Sequence, residues 1–179
     1  MKRFIFIILL CIAVSSVKAQ TNGESKESKI SFAMTIGTGL SMSTPSSTPF
    51  TWQVLGYYKL TDRWSAGAGT GLSFYEKTLI PVYGNIRFQI GRERKFTPYV
   101  ESAVGYSFAP SGNANGGFFM NQSVGIQYPL KNKMKLQLAV GYELQELERL
   151  KKHTDGFFLK EFEEKLSHHS ISFKIGLRF

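Results

Sequence analysis

Three histidines, His153, His168 and His169, and the hydroxyl of Ser170 are the side chains whose types and spacing come nearest to a reactive set. An imidazole two positions from a serine can act as general base toward a nucleophilic hydroxyl, provided an acid fixes the imidazole's tautomer and direction. No Asp or Glu follows Glu164, so no downstream acid is at hand. Three imidazoles would also suit Zn or Cu, but no carboxylate at ligand spacing fixes a geometry, and a solvated loop is the expectation for all three. Gly67, Gly69 and Gly71 alternate in step with a strand and open no helix, so they make no phosphate-binding loop. No catalytic residue, cofactor site or metal site is therefore assigned.

A second set of ionisable residues is more regular: Lys59, Arg87, Glu101, Lys135, Glu143, Lys174 and Arg178. Each falls inside a run of about 10–13 residues in which apolar and polar positions alternate, the period of a β-strand. In the last run Ile171, Phe173, Ile175, Leu177 and Phe179 share one face; Ser170, Ser172, Lys174, Gly176 and Arg178 share the other. The run before it places Met134, Leu136, Leu138, Val140, Tyr142 and Leu144 opposite Lys135, Gln137, Ala139, Gly141 and Glu143. The same alternation upstream predicts strands near 30–42, 50–60, 64–75, 79–90, 96–108 and 117–128, which brings the count to eight.

The connections differ in character. Thr61 to Arg63, Gly91 to Lys95 and Pro129 to Lys133 are short polar turns, and 43–49, 76–78, 109–116 and 145–169 lie between them. In the last of these Phe158, Phe162 and Leu166 recur every four residues. That spacing suits a short amphipathic helix or a protruding hairpin, and an outer loop with some helix is favoured.

Which face looks inward decides what the second set does. No position on the apolar face is Asp, Glu, Lys or Arg; Thr38, Thr70, Ser102 and Gln122 are its only clearly polar members. Lipid would enforce that exclusion, since Lys or Arg at the bilayer midplane costs roughly 2–4 kcal/mol. A soluble core would exclude charge as well. The opposite face discriminates. Ser65, Gly67, Gly69, Gly71 and Ser73 would weaken a solvent-facing strand for no gain, yet inside a narrow barrel they make room for Tyr57, Tyr83 and Tyr99. The seven ionisable residues then face a lumen that only side chains can fill, and must pair there. If Asn85 faces Glu101 across the turn at 91–95, Arg87 lies diagonal to Glu101. A proton or ion path through these charges is the functional alternative.

Rings cluster at strand ends: Trp64, Tyr58, Phe88, Phe96, Tyr128 and Phe179 at one rim, Phe50, Trp52, Phe74, Phe108 and Phe118 at the other. These match the two aromatic girdles of a membrane barrel.

The first 19 residues read as a secretory signal, with Lys2 and Arg3 before an apolar stretch and Val17-Lys18-Ala19 as a small-residue cleavage site. Residues 20–29 read as a polar periplasmic tail and 30–179 as the barrel. The single cysteine, Cys11, sits in the signal after Leu10, which argues against lipid anchoring. The mature part then has no disulfide, no thiolate metal site and no cysteine nucleophile. The formal charge of +9 loses Lys2, Arg3 and Lys18 with the signal, leaving 19 basic against 13 acidic residues, or +6. Export makes anionic lipid, not nucleic acid, the natural partner of that charge.

Ile80-Pro81-Val82-Tyr83-Gly84-Asn85-Ile86-Arg87-Phe88, Phe96-Thr97-Pro98-Tyr99-Val100, Gly105-Tyr106 and the closing Ile175-Gly176-Leu177-Arg178-Phe179 resemble the small outer-membrane β-barrel family of the OmpX and OmpA-transmembrane-domain type. The resemblance implies an all-β, eight-stranded antiparallel up-and-down transmembrane barrel in the cell outer membrane. It also implies a last strand whose terminal Phe179 is read by the barrel assembly machinery, and no periplasmic peptidoglycan-binding domain beyond it. A non-enzymatic structural or surface-interaction role follows, with lipopolysaccharide and other outer-membrane lipids as partners. Two alternatives stand beside it. One is a small pore or ligand channel. The other is a lipid A hydrolase, since His168 and Ser170 match the His-x-Ser of the lipid A 3-O-deacylase family while the downstream carboxylate of that family is missing.

Overall fold

A computed structural model describes residues 29–43, 48–75, 77–92, 94–110, 114–130, 134–155 and 158–179, with side chains placed except at 114 and 148–165. The expected signal and nearly all of the expected tail lie outside the described residues. Every regular element among them is a strand: β1 (Ile30–Ser41), β2 (Phe50–Lys59), β3 (Trp64–Phe74), β4 (Thr78–Gln89), β5 (Thr97–Phe108), β6 (Ala114–Asn115), β7 (Gly117–Pro129), β8 (Lys135–Asp155) and β9 (Phe158–Arg178). Apart from the two-residue β6, these match the eight predicted strands within two residues at all but the outer ends of β8 and β9.

All pairings are antiparallel; the two-residue β6 adds to β8, the other eight strands pair in chain order with β5 meeting β7, and β9 also pairs with β1, so the sheet closes on itself. Closure leaves no row of unpaired backbone groups, the condition for a sheet in hydrocarbon. The seam is completed by Phe179, whose N–H donates to the Phe32 carbonyl at 2.8 Å while Phe32 N–H donates back at 3.3 Å. One register line runs Ile30, Tyr58, Ala66, Ile86, Ser102, Gln122, Tyr142, Ile171 and returns to β1 at Leu40. It comes back ten residues from where it began. With about 3.3 Å per residue and about 4.8 Å between eight strands, that stagger tilts the strands by about 40°. Strands of 10–13 residues then span roughly 25–30 Å along the barrel axis, the height of an apolar membrane band.

The alternation resolves as expected. Phe32, Met34, Ile36, Val82, Ile86, Val100, Val124, Leu138, Val140, Phe173 and Ile175 are all exposed on the outside. Thr51, Gln53, Tyr57, Tyr83, Asn85, Arg87, Tyr99, Asn121, Ser123, Gln137 and Glu143 are buried inside. This is the inverse of a water-soluble protein. Three inward glycines earn comment because a Cβ would strike a ring or the next strand. At Gly69 it would lie 2.7 Å from Tyr83, at Gly125 2.6 Å from Tyr99, and at Gly71 2.1 Å from the Trp52 carbonyl. The glycines of β3 thus admit Tyr83 as anticipated, whereas Tyr99 is admitted by Gly125 of β7.

The segment 145–169 takes the second of the two forms its sequence suggests, the protruding hairpin, and not the favoured loop with some helix. β8 and β9 continue past the other strands, paired from Lys135↔Arg178 to Asp155↔Phe158, as one long hairpin without helix. The four-residue spacing of Phe158, Phe162 and Leu166 is overridden by a ladder already in register from the membrane below. The inward faces of the two strands also contribute to a lid. Leu147 packs with Leu79, Tyr75, Ala109 and Leu166 over the end of the lumen away from the termini.

Candidate functional site

The polar chemistry lies inside the barrel, in two clusters. In the half nearer the short turns, Arg87 of β4 and Glu101 of β5 are direct cross-strand partners, with Nη1 3.7 Å from Oε2. Asn85 faces Ala103 instead of Glu101, so the diagonal arrangement expected from the sequence is corrected to a face-to-face one. The Tyr57 hydroxyl donates to the same Glu101 oxygen at 2.8 Å. The Arg87 guanidinium lies 3.5 Å from the centre of the Tyr99 ring and 5.4 Å from that of Tyr57. With the Gln137 amide turned so that its oxygen faces the guanidinium, it accepts from Nη1 at 2.8 Å and Nη2 at 3.1 Å. The Arg178 guanidinium also lies over Tyr57, 4.9 Å from its centroid, and donates from Nε to Ser31 Oγ at 3.0 Å. Charge, hydrogen bond and ring face together satisfy a guanidinium with almost no solvent contact.

The second cluster, nearer the long hairpin, centres on the fully buried Glu143 of β8. Its carboxylate accepts from Tyr75 Oη at 2.7 Å and Asn121 Nδ2 at 3.0 Å, and sits 3.5 Å from Lys174 Nζ. Lys174 also donates to Gln53 Oε1 at 3.3 Å. Above them Ser107 Oγ donates to Gln145 Oε1 at 2.6 Å. Between the two clusters lies a cavity of about 20 Å³, lined by Gln53, Tyr57, Tyr99, Glu101, Gln137 and Lys174 among others. That is room for a water molecule and no solute.

Of the seven ionisable residues expected in the lumen, five belong to these clusters: Arg87, Glu101, Glu143, Lys174 and Arg178. Lys59 does not. It is a third exposed and bridges to the solvent-exposed Asp62 at 3.2 Å, at the mouth beside the Thr61–Arg63 turn. Lys135, partnered in register by Arg178, is likewise a half-exposed mouth residue. Both are strand-end positions, where inward alternation leads into water. Tyr57, Tyr75, Asn121, Gln53 and Gln137 were not singled out from the sequence as network members. All five occupy inward positions of the alternation, Tyr75 two residues beyond Ser73 at the end of the predicted strand 64–75.

The histidines are separated by the pleat. His168 is buried inside, its ring 5.4 Å from that of Tyr75, which corrects the expectation of a solvated loop. His169 faces outward, its Nδ1 bonded to the Tyr142 hydroxyl. The side chain of His153 lies outside those described. No group of three metal-ligating side chains occurs among the described residues. Ser170 is buried beside its cross-strand partner Glu143, an acid that chain order concealed because it precedes the serine. His168 and Ser170 therefore both face the packed interior, where an acyl chain in the surrounding bilayer does not reach.

The ring pairs lie near strand ends: Trp64–Phe88 and Phe96–Tyr128 toward the termini, at 4.7 and 5.3 Å, and Phe50–Phe74 and Tyr106–Phe108 toward the hairpin, at 6.2 and 5.2 Å. Tyr58 is exposed on the outside, and Trp52 half-exposed one outward step inside Phe50.

No protein-family model matches the sequence, and no curated protein matches it. Solved structures do match the fold. Neisserial surface protein A is similar at 12% identity over 84% of this chain and 96% of its own, with a TM-score of 0.60. The outer-membrane protein AlkL, in a structure determined in lipid bilayers, is similar at 11% identity over 90% of this chain and 94% of its own, with a TM-score of 0.54. The chain therefore has the fold of small outer-membrane barrels, a closed eight-stranded up-and-down transmembrane β-barrel.

Proposed function

We propose that this chain is a non-enzymatic integral protein of the cell outer membrane, with a lumen closed to solutes and a structural or surface-interaction role. The observation that carries this reading is the Arg87–Glu101–Tyr57–Gln137 network, which crosses the lumen from four different strands. In an eight-stranded barrel the interior is only wide enough for side chains. A continuous aqueous path would need these bonds to break, and each unpaired buried charge is costly. The leader at 1–19 would export the chain, and the last strand ending in Phe179 would present it to the barrel assembly machinery.

What remains available to partners is the outer wall and the long β8–β9 hairpin. Lipopolysaccharide and other outer-membrane lipids cover the wall. Basic residues of the hairpin, Arg149, Lys151 and Lys152, suit lipid phosphates. Nucleic acid is no partner of an exported barrel.

Purified protein reconstituted into planar bilayers is expected to give no discrete conductance steps, in samples whose heat-modifiable gel mobility shows a folded barrel. Discrete steps of reproducible size would replace this reading with that of a small channel. The hydrolase alternative has its own measurement: the mass spectrum of lipid A from cells expressing the wild type and Ser170→Ala. The two spectra are expected to be identical, and to match that of cells lacking the protein.

A further inference from the structure

We infer that the outer wall formed by β5, β7 and β8 is a two-fold interface between two copies of this chain in the membrane, with Gln122 at its axis. The inference rests on the membrane-spanning reading and goes beyond it. Gln122 is exposed on the lipid face, the sixth of the thirteen residues of β7. At the tilt above, that is more than about 10 Å from either end of the strand. Its Nε2 donates to Ser102 Oγ of β5 at 2.7 Å, which uses one of the two amide hydrogens. The carbonyl oxygen and the second hydrogen have no hydrogen bond among the described residues.

At that depth neither water nor a lipid head group reaches them, and a polar group left unsatisfied in hydrocarbon is costly. Only another protein surface inserted in the same membrane brings a donor and an acceptor together there. A primary amide carries its donor and acceptor side by side. A two-fold axis through it therefore pairs the oxygen of each copy with the N–H of the other, as an isologous interface requires. The surroundings allow the approach. Around Gln122 on this wall stand its cross-strand partners Ser102 and Tyr142, Met120 and Val124 on its own strand, and the diagonal Val100, Val104 and Val140; the four valines are exposed and short. Short residues let backbones come close, the condition for packing within lipid, where no hydrophobic drive acts between protein surfaces.

Cross-linking tests this in membranes of cells expressing the full chain. In a Cys11→Ser background, Val124→Cys is treated with a short bismaleimide; Val54→Cys, on the outward face of β2 across the barrel from β7, serves as control. The expected result is a band at twice the chain mass for Val124→Cys and none for Val54→Cys. Adding Gln122→Leu is expected to lower the cross-linked fraction roughly tenfold, with heat-modifiable mobility unchanged because the barrel interior is untouched. Equal cross-linking at both positions, no cross-linking, or a band of any other mass overturns the dimer while leaving the barrel reading intact. Loss of heat-modifiable mobility in the unsubstituted chain would overturn both.

Discussion

Arg87 and Glu101 stand directly opposite each other across the β4–β5 ladder, and the Tyr57 hydroxyl shares the Glu101 oxygen that faces the guanidinium. Removing one member leaves the others charged or unpaired with no water to turn to. Arg87→Met is expected to destabilise the folded barrel by about 3–5 kcal/mol, read as the urea midpoint of unfolding from lipid vesicles. Arg87→Met with Glu101→Leu is expected to cost less than Arg87→Met alone. If the double variant is the less stable of the two, Glu101 is not held by Arg87.

Gly69 and Tyr83 are a matched pair of a different kind, one ring admitted by one missing side chain. A methyl at Gly69 would sit within 2.8 Å of three atoms at the far end of the Tyr83 ring. Gly69→Ala is expected to cost about 1–3 kcal/mol, the ordinary price of overpacking. Adding Tyr83→Leu, which clears that end of the ring, is expected to make the second substitution smaller in effect than in the parent. Additive losses would show that the methyl is resisted by backbone and not by the ring.

How much of this was legible in the sequence depends on whether the governing interaction was local. Strand positions follow from alternation, and the barrel's sidedness from placing Gly67, Gly69 and Gly71 opposite an uncharged face. Register does not. Whether Asn85 or Arg87 faces Glu101 depends on how the 91–95 turn closes, and a shift of two residues leaves the inside–outside pattern untouched. Glu143 was visible as an inward acid, but its nearness to Ser170 arises from pairing β8 with β9. Between helix and hairpin at 145–169 the sequence favoured the wrong one, because the helical spacing of its rings is real while the ladder that overrides it begins at Lys135, far upstream in β8.

Glu143 collects Tyr75, Asn121 and Lys174 from three other parts of the chain, so it should behave as a hub. Glu143→Gln keeps an acceptor for Tyr75 and loses the charge that Lys174 pairs with. Glu143→Leu loses both. The expected order of unfolding midpoints is wild type, then Gln, then Leu, with at least about 1–3 kcal/mol between the last and the first. Because the cluster is buried, the gaps are expected to persist in 1 M salt, where an exposed pair would be screened out. Convergence of the three midpoints at high salt would place the cluster in contact with solvent.

The chain has two tryptophans, Trp52 and Trp64, both on the outer wall near opposite rims. Their fluorescence reports where the wall meets lipid. With Trp52→Phe or Trp64→Phe isolating each in turn, emission from reconstituted protein is expected to be quenched by brominated lipid acyl chains. Quenching should be greater for bromines near the head group than near the chain end, as for amphipathic rings at the interface. Strong quenching of either by aqueous acrylamide, with none by brominated lipid, would mean that the apolar wall does not face the bilayer.

Phe179 closes the seam through a pair of backbone bonds with Phe32 and leaves its ring exposed on the outside. These are two separable contributions. Phe179→Ala retains the backbone pair and loses the ring, whereas truncation after Arg178 loses both. If the ring serves recognition during assembly, Phe179→Ala is expected to lower the amount of heat-modifiable barrel in cells severalfold. The same variant refolded from urea into vesicles, without any assembly machinery, would reach near wild-type yield. Truncation is expected to lower both, since it also leaves the Phe32 N–H and carbonyl unpaired at the seam. Equal yields of Phe179→Ala and wild type in cells would assign Phe179 to closing the seam and to nothing more.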